Sequence, residues 1–360
     1  MSNLLFLGVF GLLTLADPPP ATVTNAPPPA AIVATNSVPV SPKKQAPDPD
    51  PNDPVEKRYL QLIVDDNKAQ GEVDDWIREN NTFQEKGAGV PREILNNRIF
   101  ARFAPIRQAY DEFLRQYPDH ARAHIAYGSF LNDIREVDAA EAEWEKARQI
   151  DPTNPAAWNN LANHYGHEGP VKKAFEYYQK AIELDPDEAV YYQNMATTVF
   201  LFRKEAMEYY HIEEQQVFDK ALALYAQSLQ HDPTNFVVAQ DYAQTYYGIR
   251  PERTEDALKA WTNAFKIATT DEEREGVQIH FARLKLHQAR FVEARKHLQQ
   301  VSNPIYEALK TRLTKNLELA EAEVRTGNTN HHSVKLSIPA TTSPPNSSPP
   351  VTPPPAPPQP

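Results

Sequence analysis

The sequence predicts an all-α solenoid of antiparallel helix pairs with disordered proline-rich termini, and three observations point to it. Residues 121–188 hold two consecutive copies of a 34-residue unit, a period at which one helix–turn–helix pair repeats. Pro118, Pro152 and Pro186 stand 34 residues apart, each placed to stop a helix and turn the chain. Of the 33 prolines, 12 fall in 17–54 and 11 in 339–360, leaving 10 in the middle. The middle is therefore the folding part. The flanks are extended spacers, too poor in apolar area to fold.

From the amino terminus, Leu4–Ala16 is an uncharged apolar run of 13 residues ending in Thr-Leu-Ala before Asp17. That length and ending predict a signal peptide over 1–16 and an exported protein, periplasmic or extracellular. The run is short for a membrane span, although Met-Ser-Asn supplies no Lys or Arg, which leaves an N-terminal membrane anchor as the alternative. A proline-rich linker over 17–54 follows. In 55–90 the apolar positions Tyr59, Leu60, Ile63 and Val64 predict a short amphipathic helix over Glu56–Asn67. The polar stretch from Gly71 to Gly89 reads as a second helix and a loop.

The solenoid is expected over 91–326. Pro91 suits the first position of a helix running to Phe103, and Pro105 suits the start of another running to Tyr117. In the first clear unit His124, Tyr127, Gly128, Leu131, Arg135, Ala140, Trp144, Ala147 and Pro152 answer Trp158, Leu161, Ala162, Tyr165, Gly169, Ala174, Tyr178, Ala181 and Pro186 of the second. Tyr192, Met195, Ala196 and Val199 open a third unit, which Ala221 and Tyr225 complete. Its closing Pro233 comes 47 residues after Pro186, so an insertion lies over 202–216. It predicts either longer helices or a protruding loop. Val238, Tyr242, Ala243, Tyr246, Ala257, Trp261 and Ala264 mark a fourth unit, and Phe281, Ala282, Ala294, Leu298 and Val301 a fifth. Pro304–Val324 reads as a capping helix, and 327–360 as a proline-rich tail.

The pattern resembles the tetratricopeptide-repeat family, most clearly in 121–188 and less so outward. The resemblance implies a TPR-like superhelix that binds proteins on a concave face. Small residues at the crossings (Gly128, Ala140, Ala162, Ala174) and large ones beside them fit the same packing.

Composition removes several function classes. The formal charge of −11 argues against nucleic acid and anionic membranes as partners. The absence of cysteine excludes disulfides, thiol catalysis and Cys-ligated zinc. No phosphate-binding loop, dinucleotide fingerprint, nucleophile elbow or His-Glu-x-x-His helix is present, so neither an enzyme nor a cofactor is expected. His164 with His167, and Glu208 with His211, have ligand-like spacing but no third ligand or second motif, and no metal site is expected. His331 and His332 read as loop residues.

The family resemblance implies that the second, fifth, sixth, ninth and twelfth residues of each first helix face the ligand, and polar side chains fill the fifth, sixth and ninth. Those are Asn159, Asn160 and Asn163 in the second unit, Gln193, Asn194 and Thr197 in the third, and Gln240, Asp241 and Gln244 in the fourth. Amides donate and accept, so such a row can pair with the main chain of an extended peptide. Ile125, Val190 and Val237 stand where the family's carboxylate clamp has basic residues, so an acidic C-terminus is not the expected ligand. The expected partner is a protein or extended peptide, with no nucleic acid and no membrane insertion after signal cleavage. Two alternatives remain. One is a structural assembly component of a cell-envelope complex that uses the convex face or the 202–216 insertion. The other is an accessory enzyme with a site in 55–90.

Overall fold

The computed structural model describes residues 50, 52–85 and 87–326. The expected signal peptide, most of the proline-rich linker, the tail and His331 and His332 lie outside the described residues. Within them the chain forms fourteen α-helices and two single 3-10 turns, with no strand. No helix among the described residues is long and apolar enough to cross a membrane.

Helices α1 (Pro54–Glu85) and α2 (Arg92–Gln116) form the first antiparallel pair. Both differ from the sequence expectation. The short helix, second helix and loop expected before Gly89 are one helix of 32 residues. Gly71 costs about 1 kcal/mol inside a helix. Burial of Tyr59, Leu62, Ala69 and Val73 and the ion pairs Glu56–Arg122 (2.8 Å) and Glu72–Arg102 (2.7 Å) offset it. Likewise α2 runs straight through Pro105. A proline there deprives the carbonyl of Ala101 of its helical partner, but Ala101 is exposed, so water can satisfy it. Ile106, Tyr110 and Phe113 beyond the proline are buried and hold the helix together.

The repeat units follow. Helices α3 (Ala121–Asp133) and α4 (Val137–Ile150) pair, as do α5 (Pro155–Glu168) and α6 (Val171–Leu184). Each terminating proline stands two residues past its helix: Pro118 after α2, Pro152 after α4, Pro186 after α6. The next helix restarts on a side-chain cap. His120 Nδ1 accepts from the Ala123 amide (3.0 Å), and Asn154 Oδ1 from the Ala156 amide (3.1 Å) with Pro155 at the first position. Gly128 marks the tightest crossing, since a Cβ there would sit 2.5 Å from Trp144 Nε1.

In the third unit α7 (Ala189–Leu201) pairs with α9 (Glu214–His231). The insertion between them is a separate two-turn helix, α8 (Arg203–Tyr210), closed by left-handed His211. It is not a protruding loop. Phe175 of α6 packs on Tyr209 and Tyr210 (centroids 5.4 and 5.5 Å), and Lys172 pairs with Glu208 (2.7 Å). The chain continues with α10 (Phe236–Thr245) and α11 (Thr254–Ile267), then α12 (Asp271–His287) and α13 (Phe291–Leu298). The expected cap begins as a 3-10 turn at Pro304–Tyr306 before α14 (Glu307–Arg325).

One apolar core runs from Tyr59 to Leu284, and a smaller one at the carboxyl end joins α12, α13 and α14. First helices of successive units approach one another, α3 with α5 and α5 with α7. The family resemblance implies that this side is the inner, concave face.

Candidate peptide-binding groove

The inner face carries a regular hydrogen-bond relay between units. Asn194 Nδ2 donates to Asn159 Oδ1 (3.1 Å), linking the sixth position of the third unit to the fifth of the second. Gln193 Nε2 reaches Asp241 Oδ2 (3.4 Å), linking the fifth position of the third unit to the sixth of the fourth. Asn159 Nδ2 also lies 3.5 Å from Asn160 Oδ1, and Asn160 Nδ2 donates to Ser129 Oγ (3.3 Å) in the first unit. Packing of the first helices brings these positions together, because small Ala162, Ala196 and Ala243 let the backbones come close.

The relay divides the nine sequence-predicted residues. Asn159 and Asn194 are buried and bonded to each other. Asn163 accepts from the Tyr178 hydroxyl (2.6 Å), and the Thr197 hydroxyl meets Tyr225 (2.8 Å). Asn160, Gln193 and Asp241 stay half-buried along the face. Gln240 and Gln244, half-buried too, have no side-chain hydrogen bond among the described residues. By the relay's rule Gln240 should meet the sixth position of the fifth unit, which is His280. That ring instead stacks on Trp261, 3.8 Å between centroids and 9° between planes. Its Nδ1 bonds the Tyr247 hydroxyl at 2.9 Å.

The electrostatics follow from burial. Asp241 has no cation beside it, and burial pushes its carboxyl up to about 6 against the pull of the Gln193 amide. Burial also raises the Tyr225 phenol, with Asp241 adding to the shift. His280 is pushed down to about 3 by burial, with Arg283 contributing, so its ring is neutral. The Asn194 Oδ1 atom is buried without a partner at the middle of the relay. A polar, hydrogen-bonding strip with one carboxyl, Asp241, thus runs over four units.

The fifth unit's share was missed from sequence. Registered on buried Ala282 as the small crossing residue, its sixth and ninth positions are His280 and Arg283. Register was the available signal. Other candidate chemistry is satisfied internally. Buried His164 faces Glu141 (3.3 Å), His167 is exposed on the same helix, and Glu208 is paired with Lys172. A cleft of about 840 Å³ between α2 and α4 includes His124, Glu143 and Lys146. There Glu143 closes on both His124 Nδ1 (2.5 Å) and Lys146 Nζ (2.7 Å).

Comparison with known proteins agrees with this architecture. Residues 155–188, the unit built from α5 and α6, match the family model of the tetratricopeptide repeat. The chain is similar to the Photosystem I assembly protein Ycf3 of Cyanophora paradoxa, 24% identical over 172 residues, which is 47% of this chain and 92% of that protein. Among solved structures it is similar to Pseudomonas aeruginosa pilF, with 15% identity, TM-score 0.45, and coverage of 71% of this chain and 99% of the other. It is also similar to PilW, a widely conserved type IV pilus biogenesis factor, with 13% identity, TM-score 0.47, and coverage of 67% and 98%. Residues 155–188 thus carry a tetratricopeptide repeat, and the antiparallel helix pairs on either side follow the same order of elements.

Proposed function

We propose that this protein is a non-catalytic scaffold that holds an extended segment of a partner protein along the inner face of its repeat array. The coarser part, a protein-interaction scaffold, rests on the repeat family itself. Similarity to a protein named for assembling a larger complex supports an assembly role. The observation that carries the groove reading is the row of amides across three units, of which Gln240 and Gln244 keep unused donors and acceptors. Main-chain groups of an extended peptide would satisfy them whatever its side chains. The relay behind the row holds the first helices in place, so little ordering is left for binding to impose.

Site-specific photocrosslinking tests the reading. A photoreactive residue at Gln244 samples the groove, and one at exposed Lys204 samples the inserted helix. In the source cell the Gln244 probe should capture a defined partner, and Gln240→Ala should weaken that capture several-fold, as loss of one hydrogen bond worth about 1 kcal/mol implies. Capture from Lys204 alone would move the interface to α8 and support the convex-face alternative instead.

A further inference from the structure

We propose that Arg283, held over the Tyr247 ring, is the seat for a carboxylate side chain of the segment bound along the inner face. The inference deepens the groove reading and rests on it for the occupant, while the seat itself rests on local geometry.

Arg283 lies on α12 at the ninth position of the fifth unit, and its guanidinium sits 4.0 Å above the centre of the Tyr247 ring. That ring is fixed by its hydroxyl on His280 Nδ1 and by the His280 stack on Trp261. A guanidinium laid flat on an aromatic face keeps the fork of N–H donors at its edge free. No hydrogen bond or ion pair uses that edge among the described residues. The arginines nearby in sequence are engaged: Arg253 with Asp219, Arg274 with Asp271, Arg290 with Glu293, and Arg295 with Glu321. Burial pulls the Arg283 guanidinium below its ordinary value, and Arg312 and Arg250 pull the same way.

The neighbours cannot supply the missing anion. His280 is neutral, and burial raises the Tyr247 phenol, so it stays protonated. Glu252 is shared between Arg250 (4.0 Å) and His287 (3.3 Å). Arg250 donates to the carbonyls of Tyr247 (3.0 Å) and Ile249 (2.8 Å), which holds its charge at the site. Arg312 and Arg250 repel Arg283, and Glu252 offsets them only in part, since it is itself engaged by Arg250 and His287. A half-buried guanidinium with no hydrogen-bonded acceptor is costly, and a planar carboxylate meeting its edge with two parallel hydrogen bonds relieves it. The inner face then becomes directional, with an amide strip in the middle and a cationic end.

The test uses the full chain and separates the seat from the groove. Glutarate, which carries side-chain-like carboxylates and no peptide backbone, is titrated against nitrogen-15-labelled protein. The Arg283 Nε–Hε resonance, assigned by its loss in Arg283→Gln, should shift saturably and more than with inorganic phosphate at equal ionic strength. No shift, or a larger response to phosphate, overturns the seat. Two acetylated, amidated peptides that differ only by Gln in place of Glu are then compared by fluorescence anisotropy. The Glu peptide should bind about tenfold more tightly, as expected for a charge-assisted hydrogen bond, and the preference should vanish in Arg283→Gln. Peptides that bind equally to a chain whose Arg283 ignores glutarate would remove the seat and leave the groove. A glutarate shift with no peptide binding would remove the groove, and with it the proposed occupant.

Discussion

Four turns between paired helices use a residue with positive φ: Gly87 (76°), Arg135 (67°), Gly169 (78°) and Ala289 (56°). Arg135 and Gly169 are equivalent positions one 34-residue period apart, and Ala289 ends the first helix of the fifth unit. After α3 and α12 the closing hydrogen bonds run from the following residue back five positions, Glu136 to Leu131 and Arg290 to Lys285. This is the helix ending that favours glycine, because any Cβ crowds the backbone there. Ala289 is exposed and has no side-chain contact to lose. Ala289→Gly should therefore stabilise the fifth unit by roughly 0.5–1 kcal/mol, since relief of the left-handed strain exceeds the added freedom of the unfolded chain. Thermal or urea unfolding with an unchanged or lower midpoint would show that the turn is not strained.

The first helix pair is where charge and packing conflict most. Asp133 at the end of α3 faces Asp66 and Asp74 of α1, and burial followed by those two acids pushes its carboxyl up to about 7. Gln70 bridges Asp66 and Asp133 at 3.4 Å, and the buried Tyr110 hydroxyl donates to Asp66 (2.7 Å). Asp133 has a folded value above its unfolded one of 3.8, so its share of stability is complete below about pH 4. That share is lost as pH rises through about 7. Asp133→Asn should gain roughly 1–2 kcal/mol on the wild type between about pH 5 and pH 7.5, after a discount for solvent screening at this half-buried site. Parallel stability curves for the two proteins would refute the coupling. Neither α1 as one helix nor α2 through Pro105 was legible in the sequence, because both follow from tertiary docking that outweighs local Gly and Pro signals. The helix ends set by Pro118, Pro152 and Pro186 were legible, since chain stiffness alone decides them. In the candidate groove, the family resemblance implies which side chains share the inner face. That Asn159 and Asn194 bond each other depends on how units dock, which no single unit encodes. Arg283 escaped notice because the fifth unit was recognised by its apolar residues and not registered for its polar ones.

Over the whole molecule, stability is distributed along the array, because each unit touches only its neighbours. The principal core is continuous from α1 to α12, whereas α13 and α14 belong to a small second cluster. Helix α14 buries Leu313 and Leu317 against a surface formed by Ile279, Leu286, Leu298 and Val301. Stopping the chain at Asn303 would expose those four side chains. Each fully exposed aliphatic side chain loses about 1.5–3 kcal/mol of burial. One unit cannot absorb that loss, and the first and second units can feel it only through the units between, beginning with α11 against α12. Amide hydrogen exchange on the truncated chain should therefore show α12 and α13 losing protection by orders of magnitude, while α3–α6 exchange as in the full chain. A uniform fall in protection from α3 to α13 would mean that the array unfolds as one cooperative unit. In that case the proposed seat on α12 lies in the part of the array that opens most easily, and an anion bound at Arg283 should hold α12 closed. The same exchange experiment on the full chain with glutarate should then slow opening of α12 and leave α3–α6 unchanged.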